Sequence, residues 1–324
     1  MILTNKFVYV ITGTSNNHYS LMTRISIATL RISNPDVEVI VASEKESIEY
    51  MRLENNSLLE EVDSIIDIQT PAGSAAFKSR FIKTRLGIEI EGPFIFVDSD
   101  TVIRKKITFD LDSNNDIGLV RNHSRYNLSE QLWTGDLQVI QMMGWNQPQE
   151  IYFNSGVIFY KGNSRSKEFA KKWHQTWKEG YEKTGFHLDQ PSLSQLISLD
   201  KFNIQPMENK YNSQIKSRLN FKYNSIESIN EIEKDAVIWH YYYSDTEKYN
   251  FTAFELLVKK ASKMNTFKKS EILKLLQAEF PWRCSTFLDR IIARRASKMP
   301  RIKGFALLWL EGRKIKAIKS KCLS

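Results

Sequence analysis

Residues 94–103, Phe-Ile-Phe-Val-Asp-Ser-Asp-Thr-Val-Ile, constrain this chain more than any other stretch. Phe94 to Val97 is a short apolar run after the turn signal Gly92-Pro93, and it reads as a buried strand. Asp98 and Asp100 follow at i and i+2, where the strand ends. Alternate residues of an extended backbone face the same way, so both carboxylates point to one side and Ser99 to the other. Two close carboxylates repel each other unless a cation lies between them. At neutral pH that guest is a hard divalent cation with positions open for phosphate oxygens. The bland alternative is that both aspartates cap a helix or decorate a loop.

The 324 residues are enough for a sizeable core, as one large domain or a domain with an appendage. Both cysteines, Cys284 and Cys322, come late and without metal-ligand spacing, which argues against a zinc site or a disulfide framework. Met1 to Asn5 runs straight into a strand-like segment and lacks the pattern of a signal peptide. No apolar run reaches the ~18 residues that span a bilayer. The expectation is a cytoplasmic protein, soluble or peripheral on the inner face of the membrane. The net charge of +9 is uneven. Residues 251–324 hold 18 Lys and Arg against 5 Asp and Glu, whereas residues 1–250 hold 28 against 32. The basicity belongs to the tail, so the first 250 residues need no nucleic acid or other polyanion as partner.

Along the chain, strands read at 7–11, 37–42, 64–68 and 94–97 alternate with helices at 18–32, 44–61 and 74–86. Further strands read at 116–120, 152–160 and 236–241, and helices at 166–181 and from about 189 onward. Residues 121–149 look irregular. Asn154-Ser155-Gly156 interrupts its strand, the mark of a bulge or a close backbone approach. The alternation predicts an α/β fold, with a mixed, mostly parallel sheet flanked by helices. Ligands bind such sheets at the carboxyl ends of the strands, where the Thr12-Gly13-Thr14 turn and the Asp98/Asp100 pair both lie.

Four pieces now stand in order: that turn, Asp98-Ser99-Asp100, Phe153-Asn154-Ser155-Gly156-Val157, and Leu188-Asp189-Gln190, with His240 closing the set. Over residues 5–245 this resembles the GT-A-fold nucleotide-diphosphosugar glycosyltransferases, most of all the glycogenin and lipopolysaccharide-galactosyltransferase branch. The resemblance implies a Rossmann-like catalytic domain over residues 1–250. It implies transfer of a hexose, with retention, from a nucleotide-diphosphate sugar such as a UDP-sugar to a saccharide or lipid-linked acceptor. By the same resemblance Asp98, Asp100 and His240 would hold Mn²⁺ or Mg²⁺ against the donor's pyrophosphate. Thr12, Gly13 and Thr14, with Ser99, would line the nucleotide pocket. Lys78, Arg80 or Lys83 would face donor phosphate or sugar, Asn154 and Ser155 would shape the sugar pocket, and Asp189 and Gln190 would act beside the anomeric carbon. The chain departs from the family where Tyr241 to Ser244 replace a Gly and a Lys-Pro-Trp after the histidine, and where Pro191 follows Asp-Gln. Read from the residues alone, His240 is a ligand or a core histidine, and Asp189 is a catalytic group or a helix cap.

One other enzyme class fits Asp98-Ser99-Asp100-Thr101-Val102: the haloacid-dehalogenase-type phosphatases, with Asp98 as nucleophile. Their motif follows the first strand, whereas three strand–helix units precede it here. The tail, 251–324, reads as four basic helices at 253–264, 268–280, 286–297 and 303–318. Their apolar faces fit either an anionic membrane surface or packing against the catalytic domain or a second copy in a homo-oligomer.

Overall fold

The computed structural model describes residues 5–13, 17–54, 56–108, 111–122, 134–148, 151–199, 202–215, 235–241 and 253–278. Thr14 and the tail helices expected at 286–297 and 303–318 lie outside the described residues. The main sheet has seven strands in the order β3-β2-β1-β4-β7-β6-β8: β1 (Lys6–Val10), β2 (Glu38–Ser43), β3 (Ser64–Asp67), β4 (Phe94–Val97), β6 (Ile117–Arg121), β7 (Phe153–Tyr160) and β8 (Ile204–Met207). A second sheet, β5-β10-β9, joins β5 (Thr101–Ile103), β10 (Ile238–His240) and β9 (Ser213–Gln214). β3, β2, β1 and β4 run parallel, β7 is antiparallel to β4 and to β6, and β8 is parallel to β6. The sheet is therefore mixed as well as α/β, as the alternation predicted.

All four residues of β4 are buried, because the sheet is covered on both faces. One face carries α1 (Asn17–Ser33), α2 (Lys45–Leu53) and α3 (Leu58–Glu61), whose Ile27, Leu30, Ile48, Met51 and Leu58 share a core with Phe7, Val39 and Ile95. The other face carries α4 (Ala75–Glu89), α6 (Ser164–Thr184) and α7 (Gln190–Leu199), with Ile82, Leu86, Phe169, Trp173, Leu193 and Leu196 against Val8, Phe94 and Ile158. α5 (Thr134–Met143) lies inside the stretch that looked irregular, and its Val139 and Ile140 are buried.

The single helix expected over 44–61 is two. The Asn56 side chain accepts from the Leu58 amide (3.0 Å) and from Ser20 Oγ (3.0 Å), so the asparagine ends one helix and starts the next. β8, which the sequence pattern did not signal, contains Pro206; it runs at the sheet's edge, where a missing amide is tolerated. Beyond position 250, α8 (Ala253–Met264) and α9 (Lys269–Leu276) pack Phe254, Leu257, Val258, Ile272 and Leu275 against Met22 and Ile25 of α1 and Trp239 and Tyr241 around β10. Among the described residues no helix is long and apolar enough to cross a membrane.

His174 on α6 joins the helix layer. Its Nδ1 lies 2.8 Å from Thr84 Oγ1, and its ring meets Phe81 edge-on at 4.6 Å. Burial, helped by the nearby Arg85 and Lys178 charges, pushes its pKa down to about 4 from 6.5. The folded state thus resists a proton that the unfolded chain accepts. Stability from this group is complete above pH 6.5 and drains away as pH falls toward 4. Replacing His174→Gln should make stability less pH-dependent across that window, by about 1–2 kcal/mol between pH 7 and 4.5. Urea midpoints of both proteins at the two pH values measure this, and equal losses would refute it.

Candidate active site

β4 delivers Asp98 to the end of the sheet, and the turn to β5 delivers Asp100. The turn is tied down at three points. Thr101 Oγ1 donates to the Asp98 carbonyl (2.9 Å), Thr23 Oγ1 of α1 lies 2.9 Å from Ser99 Oγ, and the Tyr241 amide donates to the Asp100 carbonyl (2.9 Å). Ser99 therefore faces α1, away from the two carboxylates, as the alternation required. β10, antiparallel to β5, opposes His240 to Thr101. His240 Nε2 lies 3.2 Å from Asp100 Oδ1 and 3.8 Å from Asp98 Oδ2. One ligand atom each from Asp98, Asp100 and His240 falls within 4.8 Å of the others.

The donor set suits a divalent cation. His240 Nδ1 lies 2.9 Å from Asn212 Oδ1, and that oxygen is an acceptor only, because the Asn212 amide nitrogen donates to Asn154 Oδ1 (2.7 Å). Nδ1 must then carry the hydrogen, which leaves the Nε2 lone pair toward the carboxylates, the arrangement that orients metal-binding histidines. Burial disfavours a charged His240, but Asp100 and Asp98 outweigh it and raise its pKa. Burial likewise raises the pKa of Asp98, against the pull of Lys83 and His240.

The bulge expected at Asn154-Ser155-Gly156 is present. Leu119 pairs with Ile158 but Val120 pairs with Asn154, so β7 loops out three residues against β6. A Cβ on Gly156 would lie 2.2 Å from His240 Cε1, so only glycine lets the histidine approach the strand. Asn154 Nδ2 donates to Gln190 Oε1 (2.8 Å), and Ser155 Oγ donates to Asp189 Oδ2 (2.8 Å). The Asp189 main-chain carbonyl starts α7 by accepting from the Leu193 amide (3.2 Å), while its carboxylate turns inward. Lys83 Nζ lies 3.0 Å from it and Arg80 Nε 3.3 Å. Burial would raise its pKa, but Lys83 and Arg80 overcome that and hold Asp189 firmly ionised.

Lys83 also reaches Asp98 Oδ1 (3.4 Å) and Ser155 Oγ (3.1 Å), so it bridges the two carboxylate groups of the site. Lys78, the third cation expected here, instead meets Glu44 (3.7 Å) and Glu46. It lies near the β1 turn, where Gly13, at φ +108°, donates to Ser47 Oγ (2.7 Å) and Thr12 Oγ1 donates to the Ala75 carbonyl (2.8 Å). Sequence reading missed Asn212 and Thr23. Neither sits in a motif, and each gains its role only through a partner remote in the chain.

The sequence profile of the nucleotide-diphospho-sugar transferase family matches residues 77–251, a span that holds Arg80, Lys83, Asp98, Asp100, Asn154, Asp189 and His240. No curated protein matches the chain by sequence. Among solved structures, the chain is similar to the galactosyltransferase LgtC in complex with donor and acceptor sugar analogs, at TM-score 0.51 and 14% identity, covering 88% of this chain and 99% of that one. An active-site mutant of LgtC gives the same values. Mouse xyloside xylosyltransferase 1 in its apo form is also found, at TM-score 0.47 and 16% identity, over 74% and 97% of the two chains. At 14% identity the likeness to LgtC speaks for the fold, which is GT-A-like. The phosphatase alternative gains no support from any of these matches. Because the family profile spans more than half of the chain and takes in the Asp98, Asp100 and His240 cluster, this protein belongs to the nucleotide-diphospho-sugar transferases and is a glycosyltransferase.

Proposed function

We propose that this glycosyltransferase depends on a divalent metal and moves a hexose from a UDP-sugar to a saccharide or lipid-linked acceptor, with retention. The observation that carries this reading is the cluster of Asp98, Asp100 and His240, with the His240 tautomer set by Asn212. These three residues would hold Mn²⁺ or Mg²⁺. The ion, when bound, would stabilise charge on the departing diphosphate without a proton. Thr12, Gly13 and Thr14 would border the nucleotide, with Lys78 at the edge of that pocket. Arg80 and Lys83 keep Asp189 as a carboxylate, and an oxygen anion near the sugar favours an oxocarbenium-like transition state. Gln190 already commits its amide oxygen to Asn154, so it would act by shaping the sugar pocket.

The tail supports a second element of the reading, a cytoplasmic enzyme peripheral on an anionic membrane surface. Lys259, Lys260, Lys263, Lys268, Lys269 and Lys274 are exposed on α8, α9 and the turn between them, together with Met264 and Leu273. Full-length protein should pellet with vesicles containing anionic lipid and do so less in high salt. Equal recovery with neutral vesicles would remove the membrane from the proposal.

Calorimetry with UDP and with UDP-sugars should show donor binding that requires Mn²⁺ or Mg²⁺. Asp98→Asn and Asp100→Asn should lower turnover by about 10²–10³ while leaving the circular dichroism spectrum intact. Gly156→Ala should weaken Mn²⁺ binding by displacing His240. Full donor affinity in EDTA would overturn the metal reading. Asp189→Asn should lower kcat far more than it raises the donor Kd, and an unchanged kcat would reduce Asp189 to its main-chain role in starting α7.

A further inference from the structure

We infer that α8 and α9, although they lie beyond the catalytic motifs, hold the His240 strand and the Asp98–Thr101 turn in place. Arg104, Trp239 and Tyr241 are the positioning residues. The inference rests on the reading of Asp98, Asp100 and His240 as a metal site.

Side chains alternate along β10. His240 faces the carboxylates, while Trp239 and Tyr241 enter the core formed with Phe254, Leu257, Val258, Ile272 and Leu275. The Tyr241 ring stacks on Phe254 at 4.9 Å with 10° between planes, and its amide donates to the Asp100 carbonyl (2.9 Å). The Ile215 amide donates to the His240 carbonyl (2.7 Å), and Ile215 belongs to the same core. The residues before and after His240 thus rest on the tail helices, and one of them is bonded to a ligand's own backbone.

Two arginines fasten those helices. The Arg104 guanidinium lies 3.6 Å from the centre of the Trp239 ring, and its Nη2 donates to the Ala278 carbonyl (3.0 Å) just past α9. Arg24 of α1 donates Nη1 to the Asn265 carbonyl (3.3 Å) just past α8, covers the Phe267 ring at 5.2 Å and pairs with Glu61 (2.8 Å). Carbonyls at helix C-termini have no intrahelical donor and favour a positive charge, so these contacts tie both helix ends to the catalytic side of the molecule. α1 completes the arrangement. Its Met22 and Ile25 lie in this core, Thr23 lies beside Ser99, and Ser26 Oγ is 2.8 Å from Thr101 Oγ1. The carboxylate turn is therefore held between α1 and β10, and both lean on α8 and α9.

Hydrogen exchange on the metal-free full chain reads this directly. In Arg104→Met and in Phe254→Ala, the Tyr241 and Ile215 amides should exchange roughly tenfold faster relative to the Ile11 amide, which donates to the Ala42 carbonyl of β2. Mn²⁺ affinity should fall by a similar factor. Phe169→Ala, a buried truncation on the opposite face of the main sheet, should lower the melting temperature without changing that ratio. Wild-type ratios in both tail-side variants, or the same change in Phe169→Ala, would overturn the inference. If Phe254→Ala does not fold, Arg104→Met decides alone. A wild-type chain that binds no Mn²⁺ would sink the metal reading instead, and the exchange ratios would still decide this one.

Discussion

Lys83 brings a full positive charge to a place where only 2% of its side chain meets solvent. A buried ammonium stripped of water costs several kcal/mol unless its partners are close and well placed. Here they are Asp189, Asp98, Ser155 and the face of the Phe96 ring, whose centre is 4.9 Å away. The requirement works in both directions, because the carboxylates must stay where Lys83 can meet them. Packing puts the ammonium there. One turn along α4, a Cβ on Gly87 would lie 2.7 Å from Ala170 and 2.8 Å from the Tyr160 ring. That glycine lets α4 sink onto α6 and β7, and the descent lowers Lys83 onto β4. The ammonium that meets both Asp98 and Asp189 is thus placed by helix packing rather than by loops.

A polar chain then joins the two halves of the site. It runs from His240 through Asn212 and Asn154 to Gln190. Each amide fixes the next. Gln190 Oε1 takes the Asn154 amide nitrogen, so the Asn154 oxygen faces Asn212 and the Gly156 amide (2.8 Å). Asn212 must then offer its oxygen to His240. A change at Gln190 would be felt as a change in the histidine tautomer, because buried polar groups left without a partner are costly.

Much of this was legible in the sequence because it is local. The Asp98/Asp100 pair, the Asn154–Gly156 interruption and the Asp189 turn are set by period-2 alternation and turn chemistry within a few residues. What was hidden depends on separation in the chain. Lys78, Arg80 and Lys83 look alike on one helix, yet α4 turns the first toward Glu44 and Glu46 and the other two inward. Gly156 announced a close approach but not that the neighbour would be His240, which arrives 84 positions later by pairing of β10 with β5. The break in the 44–61 helix escaped because one asparagine side chain, rather than a proline or glycine, makes it.

The charges of the site set an order among its ligands. Asp98, Asp100 and Asp189 bring three negative charges, and Arg80 and Lys83 bring two positive ones close to them. With His240 neutral, one net negative charge is left to attract a divalent cation, which is weak for a hard ion that must shed water. A bound cation would leave the site net positive, and a diphosphate would then be drawn to it. Each ligand would raise the affinity of the other, since coupling between two sites is reciprocal. The same balance bears on the chemistry. Asp189 faces two cations that already satisfy it, so it would not attack as a free nucleophile. On the proposed reading it would serve a developing positive charge on the sugar by keeping its ionised form while Lys83 stays beside Asp98. On that arrangement the two ends of the breaking bond would be linked through a single ammonium, positive where the leaving group gathers charge and countered by Asp189 where the sugar loses it.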